Sequence, residues 1–213
     1  MEVKKLTKRA SKEKVIKAAI NLFNVKGFSG TSVRDIANDA GCNVALISYY
    51  FRNKQGLLEH LITSFLERYI EAIEIQVKRA ENEEESAYDC LLKAIWDVML
   101  YQQNKHQLAR FVHREITLDT VLVRELMTTY LAKEKHLYHT LVQIGYENGE
   151  MDKLPNEYFE LQLRGMLIMP FLHPQYIREV YHLMPHEGHF LDQYFSEIAN
   201  WVAIHFNDDI TSV

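Results

Sequence analysis

The chain has 213 residues, of which 47% are hydrophobic and 25% are charged, and this composition is typical of a globular protein with one large domain or two small ones. Its two cysteines, Cys42 and Cys90, have neither zinc-type spacing nor the density of a disulfide framework, and the N-terminal segment lacks the apolar core of a signal peptide. Because no apolar run approaches the roughly 18–20 residues of a membrane span, we expect a cytoplasmic protein with no membrane partner.

The net charge of −5 is distributed unevenly along the chain. Residues 1–60 hold 11 Lys and Arg against 5 Asp and Glu, whereas the remaining residues hold 13 basic and 24 acidic side chains. The N-terminal part is therefore basic and the rest is acidic. This asymmetry favours a polyanionic partner at one end of the molecule, although a solvated basic tail would also explain it.

The predicted elements begin with a flexible basic arm, residues 1–10, and a first helix of about Lys12–Lys26. Ser11 can cap the start of this helix, because its hydroxyl can accept a hydrogen bond from a free backbone amide. The apolar residues of the helix recur at helical spacing, and Gly27 is expected to end it.

Residues Thr31–Phe51 predict two short helices joined by a tight turn. Thr31 is the expected N-cap of the first helix, and Gly41 can close that helix in a left-handed conformation. Asn43 can cap the second helix. A helix, a turn of about 3–4 residues and a second helix form the helix-turn-helix that reads DNA.

Every later element is also predicted to be helical, so the expected fold class is all-α, with about nine or ten helices. Asn53 can cap the helix after the motif, and Pro155 suits the first turn of a later one. Pro170 and Pro174 are expected to break the pattern between two helices. The predicted helices after the motif are about Lys54–Ala80, Ser86–Gln103, Leu108–Ile116, Thr120–Gly149, Asn156–Met169, Pro174–Leu183 and Glu187–Phe206.

The second helix of the motif begins with small and polar side chains, which a helix in the major groove needs. Val44 and Ala45 suit thymine methyl groups, and Asn43 and Ser48 can exchange hydrogen bonds with base edges. Side chains beside the groove can bond phosphates, which fixes the register without reading sequence. We expect base contacts from Asn43, Val44, Ala45, Leu46 and Ser48, phosphate contacts from Tyr49, Tyr50 and Lys54, and either kind from Arg34.

Residues 11–66 resemble the N-terminal DNA-binding domain of the TetR family of regulators. The matching stretch is AAINLFNVKGFSGTSVRDIANDAGCNVALISYYFRNKQGLLEHL, with its G-F-x-x-T-S connector, I-A-x-x-A-G helix, recognition helix ending in Y-Y-F and Leu-rich fourth helix. The resemblance implies a three-helix DNA-binding domain in residues 1–55 and a helical bundle in residues 56–213 that dimerises and often binds an effector. It also implies a homodimer on palindromic double-stranded DNA, and it adds Thr31 and Ser32 to the DNA contacts.

A narrower resemblance is to the RefZ-type members of that family. It rests on NVALISYYF, GFSGTSVR, GLLEHL and RGMLIMPFLHPQYIREVYHLMP, and it implies contact with the division protein FtsZ. Two hypotheses therefore remain open, namely an effector-responsive transcriptional repressor and a DNA-bound regulator of cell division. An enzyme that carries a helix-turn-helix is disfavoured, because the sequence has no P-loop, dinucleotide fingerprint or nucleophile elbow.

The body contains a candidate interface and a candidate pocket. The helices Asn156–Met169 and Glu187–Phe206 are the dimer candidates, because two helices from each subunit can form a four-helix interface. Met and aromatic side chains suit an apolar effector, although core packing is the more frequent role of such residues. The pocket candidates are Trp96, Met99, Phe111, Met127, Tyr130, Met166 and Met169.

Basic side chains share the short helix around residues 108–116. Arg110 and Arg114 lie four residues apart and therefore share a face, with His113 beside them. These three side chains can form a protein-docking patch, or the arginines can pair with acids of the body. The His186–His189 spacing differs from the H-E-x-x-H zinc motif, so we expect no metal and no cofactor.

Overall fold

The computed structural model of the protein describes residues 2–155 and 158–206, with side chains from residue 10 onward. In this part of the chain every regular element is a helix, as predicted. An N-terminal head consists of α1 (Glu2–Lys26), α2 (Val33–Asp39) and α3 (Val44–Phe51), and α4 (Lys54–Glu81) runs from the head into the body. The body adds α5 (Ala87–Asn104), α6 (His106–Ile116), α7 (Val121–Leu126), a π-helical turn (Met127–Leu131), α8 (Ala132–Glu147), α9 (Tyr158–Leu172), α10 (Pro174–Tyr181) and α11 (Gly188–Phe206).

The prediction of about nine or ten helices is confirmed over the described residues. The segments α7, the π turn and α8 follow one another without a break, so they form one long helix between residues 121 and 147, as the sequence predicted. Counted this way, the described chain has ten separate helices. None of them is both long enough and apolar enough to cross a membrane.

The predicted basic arm is wrong, because its backbone forms the beginning of α1. The helix starts at Glu2 and continues to Lys26. Neither Gly nor Pro occurs between these residues, and Lys, Arg, Leu and Ala are among the best helix formers. The charge pattern suggested a flexible arm, but the helix propensity of the same residues extends the first helix over it.

The predicted break at Pro170 is also wrong, since this proline lies inside α9 and the helix continues to Leu172. A proline has no N–H, so the carbonyl four residues earlier loses its helical donor. That carbonyl belongs to Met166, and the hydroxyl of Tyr194 on α11 donates to it at 3.1 Å. The predicted start of this helix at Asn156 lies outside the described residues.

The core of the body is built around α4, which packs most extensively against α5 and α8. One face of α4 is buried along its whole length, from Leu57 through Phe65 and Tyr69 to Val77. Each large apolar side chain that is fully buried stabilises the fold by about 1.5–3 kcal/mol. The buried face of α4 therefore stabilises both the head, at its N-terminal end, and the body, along the rest of its length. The predicted domain boundary after residue 55 falls within the first turn of α4.

The head also contacts the body through α6. The ring of Phe23 on α1 stacks on that of Phe111 on α6, with centroids 5.1 Å apart. The Arg114 guanidinium donates from Nη2 to the Phe23 carbonyl at 2.7 Å, and the Asn24 amide donates to the Gln107 carbonyl at 2.8 Å. These contacts fix the C-terminal end of α1 against α6.

Candidate nucleic-acid interface

The N-terminus of α2 is capped by Ser32, one residue later than predicted. The Ser32 Oγ accepts from the Asp35 N–H at 3.1 Å, and the Ser32 backbone N–H donates to Asp35 Oδ2 at 2.9 Å, which completes a capping box. The Ser32 hydroxyl and backbone bonds hold the pKa of Asp35 below its usual value. The signal that favours Ser32 is the acid three residues after it.

Thr31 has a different role from the predicted N-cap. Its side chain is only 2% exposed, and its hydroxyl donates to the Gly27 carbonyl at 2.8 Å. Gly27 has a φ of +75°, a left-handed conformation in which glycine is favoured, and it ends α1 as predicted. Thr31 therefore fastens the connector between α1 and α2, and its hydroxyl faces away from solvent.

Lys54, predicted to contact a phosphate, lies at the start of α4 and reaches back to the same connector. Its ammonium donates to the carbonyls of Phe28 and Thr31, each at 2.9 Å. It also lies 4.4 Å from the centroid of the Phe28 ring, a cation–π distance. Two of the three ammonium hydrogens are therefore used within the head, and this side chain links α4 to the connector.

Helix α3 has one buried and one exposed face. Ile47 is fully buried and Phe51 is 5% exposed, so these two side chains anchor the helix to the head. The Asn43 side chain caps the helix by accepting from the Ala45 N–H at 2.8 Å, as predicted. Gly41, with a φ of +61°, shapes the turn before it.

Helix α3 and its N-cap carry seven of the eleven side chains predicted to touch DNA. The exposed residues are Asn43, Val44, Ala45, Ser48 and Tyr49, whereas Leu46 and Tyr50 are half-buried at its edges. Tyr49 is 66% exposed, and its ring meets that of Tyr50 edge-on at 5.1 Å. The structure thus presents a short, capped helix with small side chains at its N-terminal end and tyrosines at its C-terminal end.

The head carries several exposed basic side chains outside α3. Arg34 is exposed on α2, and Lys14 and Lys17 are exposed on α1. Arg52 is exposed directly after α3, in a left-handed conformation with a φ of 68°. Arg52 is not among the residues predicted from the sequence to contact DNA, although its position as a cation immediately after α3 is a signal that makes it a candidate.

The predicted effector-pocket residues lie in several different surroundings. Met99 and Phe111 are buried in the core, and Met127 is 43% exposed at the surface. Trp96 packs edge-on against Phe195, with centroids 5.1 Å apart. Tyr130, Met166 and Met169 are half-buried. Core packing, the alternative that the sequence left open, describes Met99, Phe111 and Trp96.

The predicted docking patch of Arg110, His113 and Arg114 is wrong. His113 is 4% exposed, and its Nε2 lies 2.6 Å from the Gln102 Oε1. Burial, and then the charge of Arg164, lowers the pKa of His113 to about 3, so the imidazole is neutral. Arg114 is bonded to the head as described above, and only Arg110 faces a surface cleft.

The sequence of the chain is similar to those of bacterial transcriptional regulators. A family model described as bacterial regulatory proteins, tetR family, matches residues 15–61. The chain is 47% identical, over 195 residues, to a Bacillus subtilis (strain 168) protein named "Probable HTH-type transcriptional regulator YttP", and the match covers 92% of this chain and 93% of that protein.

Solved structures share the fold at low sequence identity. The TetR family transcriptional regulator PfmR from Thermus thermophilus matches with a TM-score of 0.67 and 17% identity, over 88% of this chain and 95% of that chain. The transcriptional regulator FadR from Bacillus subtilis, in complex with stearoyl-CoA, matches with a TM-score of 0.64 and 18% identity, over 88% and 97% of the two chains.

Proposed function

The chain belongs to the TetR family of bacterial transcriptional regulators, and from that premise we propose that it binds an inverted DNA repeat as a homodimer and represses the adjacent genes. The family membership makes it a DNA-binding transcriptional regulator. The dimer, the symmetry of the site and the roles of individual residues are the proposal. The observation that supports it best is the exposed face of α3, held in place by the buried side chains of Ile47 and Phe51.

We assign base reading to the N-terminal end of α3. Val44 and Ala45 are exposed and small enough to approach thymine methyl groups, and Asn43 and Ser48 can form hydrogen bonds with base edges. Leu46 is half-buried, so it contributes at most an apolar edge to this surface.

Side chains around α3 are assigned to the phosphates. These are Tyr49 and Tyr50 on α3, Ser32 and Arg34 at the start of α2, and Arg52, which the structure adds. Thr31 and Lys54 are assigned a supporting role instead, because their polar atoms bond the connector.

The dimer interface that we propose lies on α9 and α11. On α9, Leu161 is 65% exposed, and Gly165 and Ile168 continue the same stripe at helical spacing. A Cβ added at Gly165 would meet no atom within 4 Å, so another helix can approach closely there. On α11, Ile204 is 45% exposed while Val202 and Phe206 are fully buried. Such a pair of partly apolar helices suits a four-helix interface between two copies.

Contact with the division protein FtsZ is not part of the proposal. Two of the three side chains predicted to form its docking patch, His113 and Arg114, are engaged within the fold. A promoter-bound repressor requires only a DNA-binding head and a dimer. The exposed face of α3 suits the first, and the exposed apolar residues of α9 and α11 suit the second.

The proposal is tested by mapping bound DNA across the genome with the wild-type chain and with Ala45→Glu. The added carboxylate would face base edges and phosphates, so we expect the bound sites to be lost. Transcripts from promoters at those sites should rise in a strain that lacks the protein. Ala132→Glu is the matched control, since Ala132 is also exposed but lies on α8. Unchanged sites in Ala45→Glu, or bound promoters whose transcripts do not respond, would overturn the proposal.

A further inference from the structure

A cleft of about 330 Å³ lies where the head meets the body. Its walls come from α1, α6, the C-terminal end of α9, α10 and the segment before α11. Asn24 of α1 donates to the Gln107 carbonyl of α6 at 2.8 Å, and this hydrogen bond joins two of the walls. Beside the cleft, Gln103 of α5 donates to the Glu187 carbonyl in the segment before α11 at 2.8 Å. A volume of this size falls within the range of small-molecule sites, about 300–1,000 Å³.

The ionisable groups that line this cleft are all basic. They are Arg110 and His106 of α6, Arg178 of α10 and His186, whereas no Asp or Glu side chain among the described residues lines it. The two imidazole rings face each other with centroids 5.7 Å apart. The acids nearest in sequence are Glu179 and Glu187, and of these Glu179 accepts from Arg178 at 2.9 Å. In a chain whose residues after position 60 are strongly acidic, the cleft is a local concentration of basic side chains, of which Arg178 is paired with Glu179.

Arg110 is the side chain that the rest of the fold does not explain. It is half-buried, and within the described residues it forms no hydrogen bond or ion pair that would account for its position. Its neighbour one turn later, Arg114, is by contrast bonded to the Phe23 carbonyl. A guanidinium is costly to desolvate without a partner, and it binds carboxylates and phosphates through paired N–H groups.

The other walls of the cleft are apolar. Phe171 is 4% exposed and Pro170 is buried beside it, with Pro174 and Pro185 also lining the cleft. Proline and phenylalanine rings provide a flat surface for an apolar group, and the arginines and histidines lie around it. The combination fits a ligand that has an apolar body and an acidic group.

We propose that this cleft binds a small organic anion, with its carboxylate or phosphate on Arg110 and Arg178 and its apolar body against Phe171 and the prolines. Because the cleft contacts both α1 and α6, the bound anion changes how the head is held on the body and therefore changes DNA affinity. This second effect rests on the proposed function, whereas anion binding itself does not.

Calorimetric titration of the full chain with four probes that share one ring tests the binding. Phenyl phosphate and benzoate should bind saturably, one per chain, and benzyl alcohol and benzylamine should bind at least about tenfold more weakly, as loss of a charge-assisted pair predicts. Arg110→Gln should weaken phenyl phosphate at least tenfold, and Arg178→Gln should weaken it as well. Arg68→Gln is the control, because Arg68 is exposed on α4 and pairs with Glu71.

Three results would overturn the inference that the cleft binds an organic anion. Equal binding of all four probes, retained binding in both variants with native circular dichroism, or inorganic phosphate binding as tightly as phenyl phosphate would leave an adventitious anion site only.

Repeating the titration with operator DNA tests the regulatory effect. Phenyl phosphate should shift the DNA dissociation constant of the wild type at least threefold and leave that of Arg110→Gln unchanged. If anions bind as described but DNA affinity stays constant, the regulatory effect is wrong; if no DNA binds at all, the proposed function fails and the anion site stands.

Discussion

At the scale of single residues, the head depends on polar side-chain atoms that bond its own backbone. Lys54 and Thr31 belong to the sequence pattern of a DNA-binding domain, yet both direct their polar atoms at backbone carbonyls of the head. The pattern therefore contains residues that shape the surface of the head besides those proposed to touch DNA. Sequence spacing cannot separate the two, because it does not show which way a side chain turns.

Replacing Lys54 with Met tests this supporting role. The methionine keeps an apolar stem over Phe28 but removes the ammonium donor from the Phe28 and Thr31 carbonyls. The Phe28 carbonyl then keeps only the Thr31 N–H, at 3.3 Å. We expect the free energy of unfolding, measured in urea, to fall by about 1–3 kcal/mol. Lys78→Met on the same helix is the control, because Lys78 is exposed. Equal stabilities of the two variants would show that the ammonium is dispensable for the head.

His113 makes the stability of the body depend on pH. Its pKa falls from 6.5 to about 3 on folding, so between these values the unfolded chain binds one more proton than the folded chain. The stabilisation is complete above pH 6.5 and decreases as the pH falls, by at most about 1.4 kcal/mol per pH unit. In His113→Gln, which can still donate to Gln102, urea unfolding between pH 6.5 and 4.5 should lose less stability than in the wild type. Parallel curves for both proteins would contradict this assignment.

At the scale of elements, periodicity and capping residues predicted most of the helices. The ends at Gly27, Asn43 and Asn53 were correct, because a left-handed glycine or an amide cap acts within a few residues of the chain. The continuation of α9 through Pro170 was not predictable in the same way. The donor that compensates for the proline is Tyr194, 28 residues beyond Met166, and only the packing of α11 on α9 brings it there.

Tyr194→Phe tests whether this hydroxyl stabilises the proline-containing turn. Removing it leaves the Met166 carbonyl without a donor at a position where the helix supplies none. We predict a loss of about 0.5–1.5 kcal/mol in thermal or urea unfolding. Tyr181→Phe is a suitable comparison, because the Tyr181 hydroxyl is on the exposed surface of α10 and should matter little. A Tyr194→Phe protein as stable as wild type would mean that water replaces the hydroxyl.

At the scale of the whole molecule, the sequence predicted the acidic body less well than the head. The residues proposed to contact DNA were predicted from the order of caps and apolar residues along the chain. The pocket and docking-patch residues were predicted from residue type alone. Residue type does not distinguish His113, buried against Gln102, from Arg110, which lines a cleft. That distinction depends on how α6 packs against neighbours far away in the chain.

The proposed dimer predicts that Ile204→Glu yields monomers. A charge in the centre of an apolar interface costs several kcal/mol unless it is paired, so sedimentation should show a single-chain mass. DNA affinity should then fall, because each monomer presents only one α3. Ile75→Glu, which places the same charge on the 51%-exposed Ile75 of α4, should remain dimeric. A fully dimeric Ile204→Glu protein would remove α11 from the interface.

The proposed function requires that two copies of α3 read an inverted repeat. Selection of bound sequences from a random DNA pool by the intact chain tests this requirement. We expect an enriched inverted repeat, with half-site centres about 10 base pairs apart or a multiple of that distance, and no enrichment by the Ala45→Glu chain. Enrichment of an unsymmetric single site, or the same sequences selected by Ala45→Glu, would contradict it.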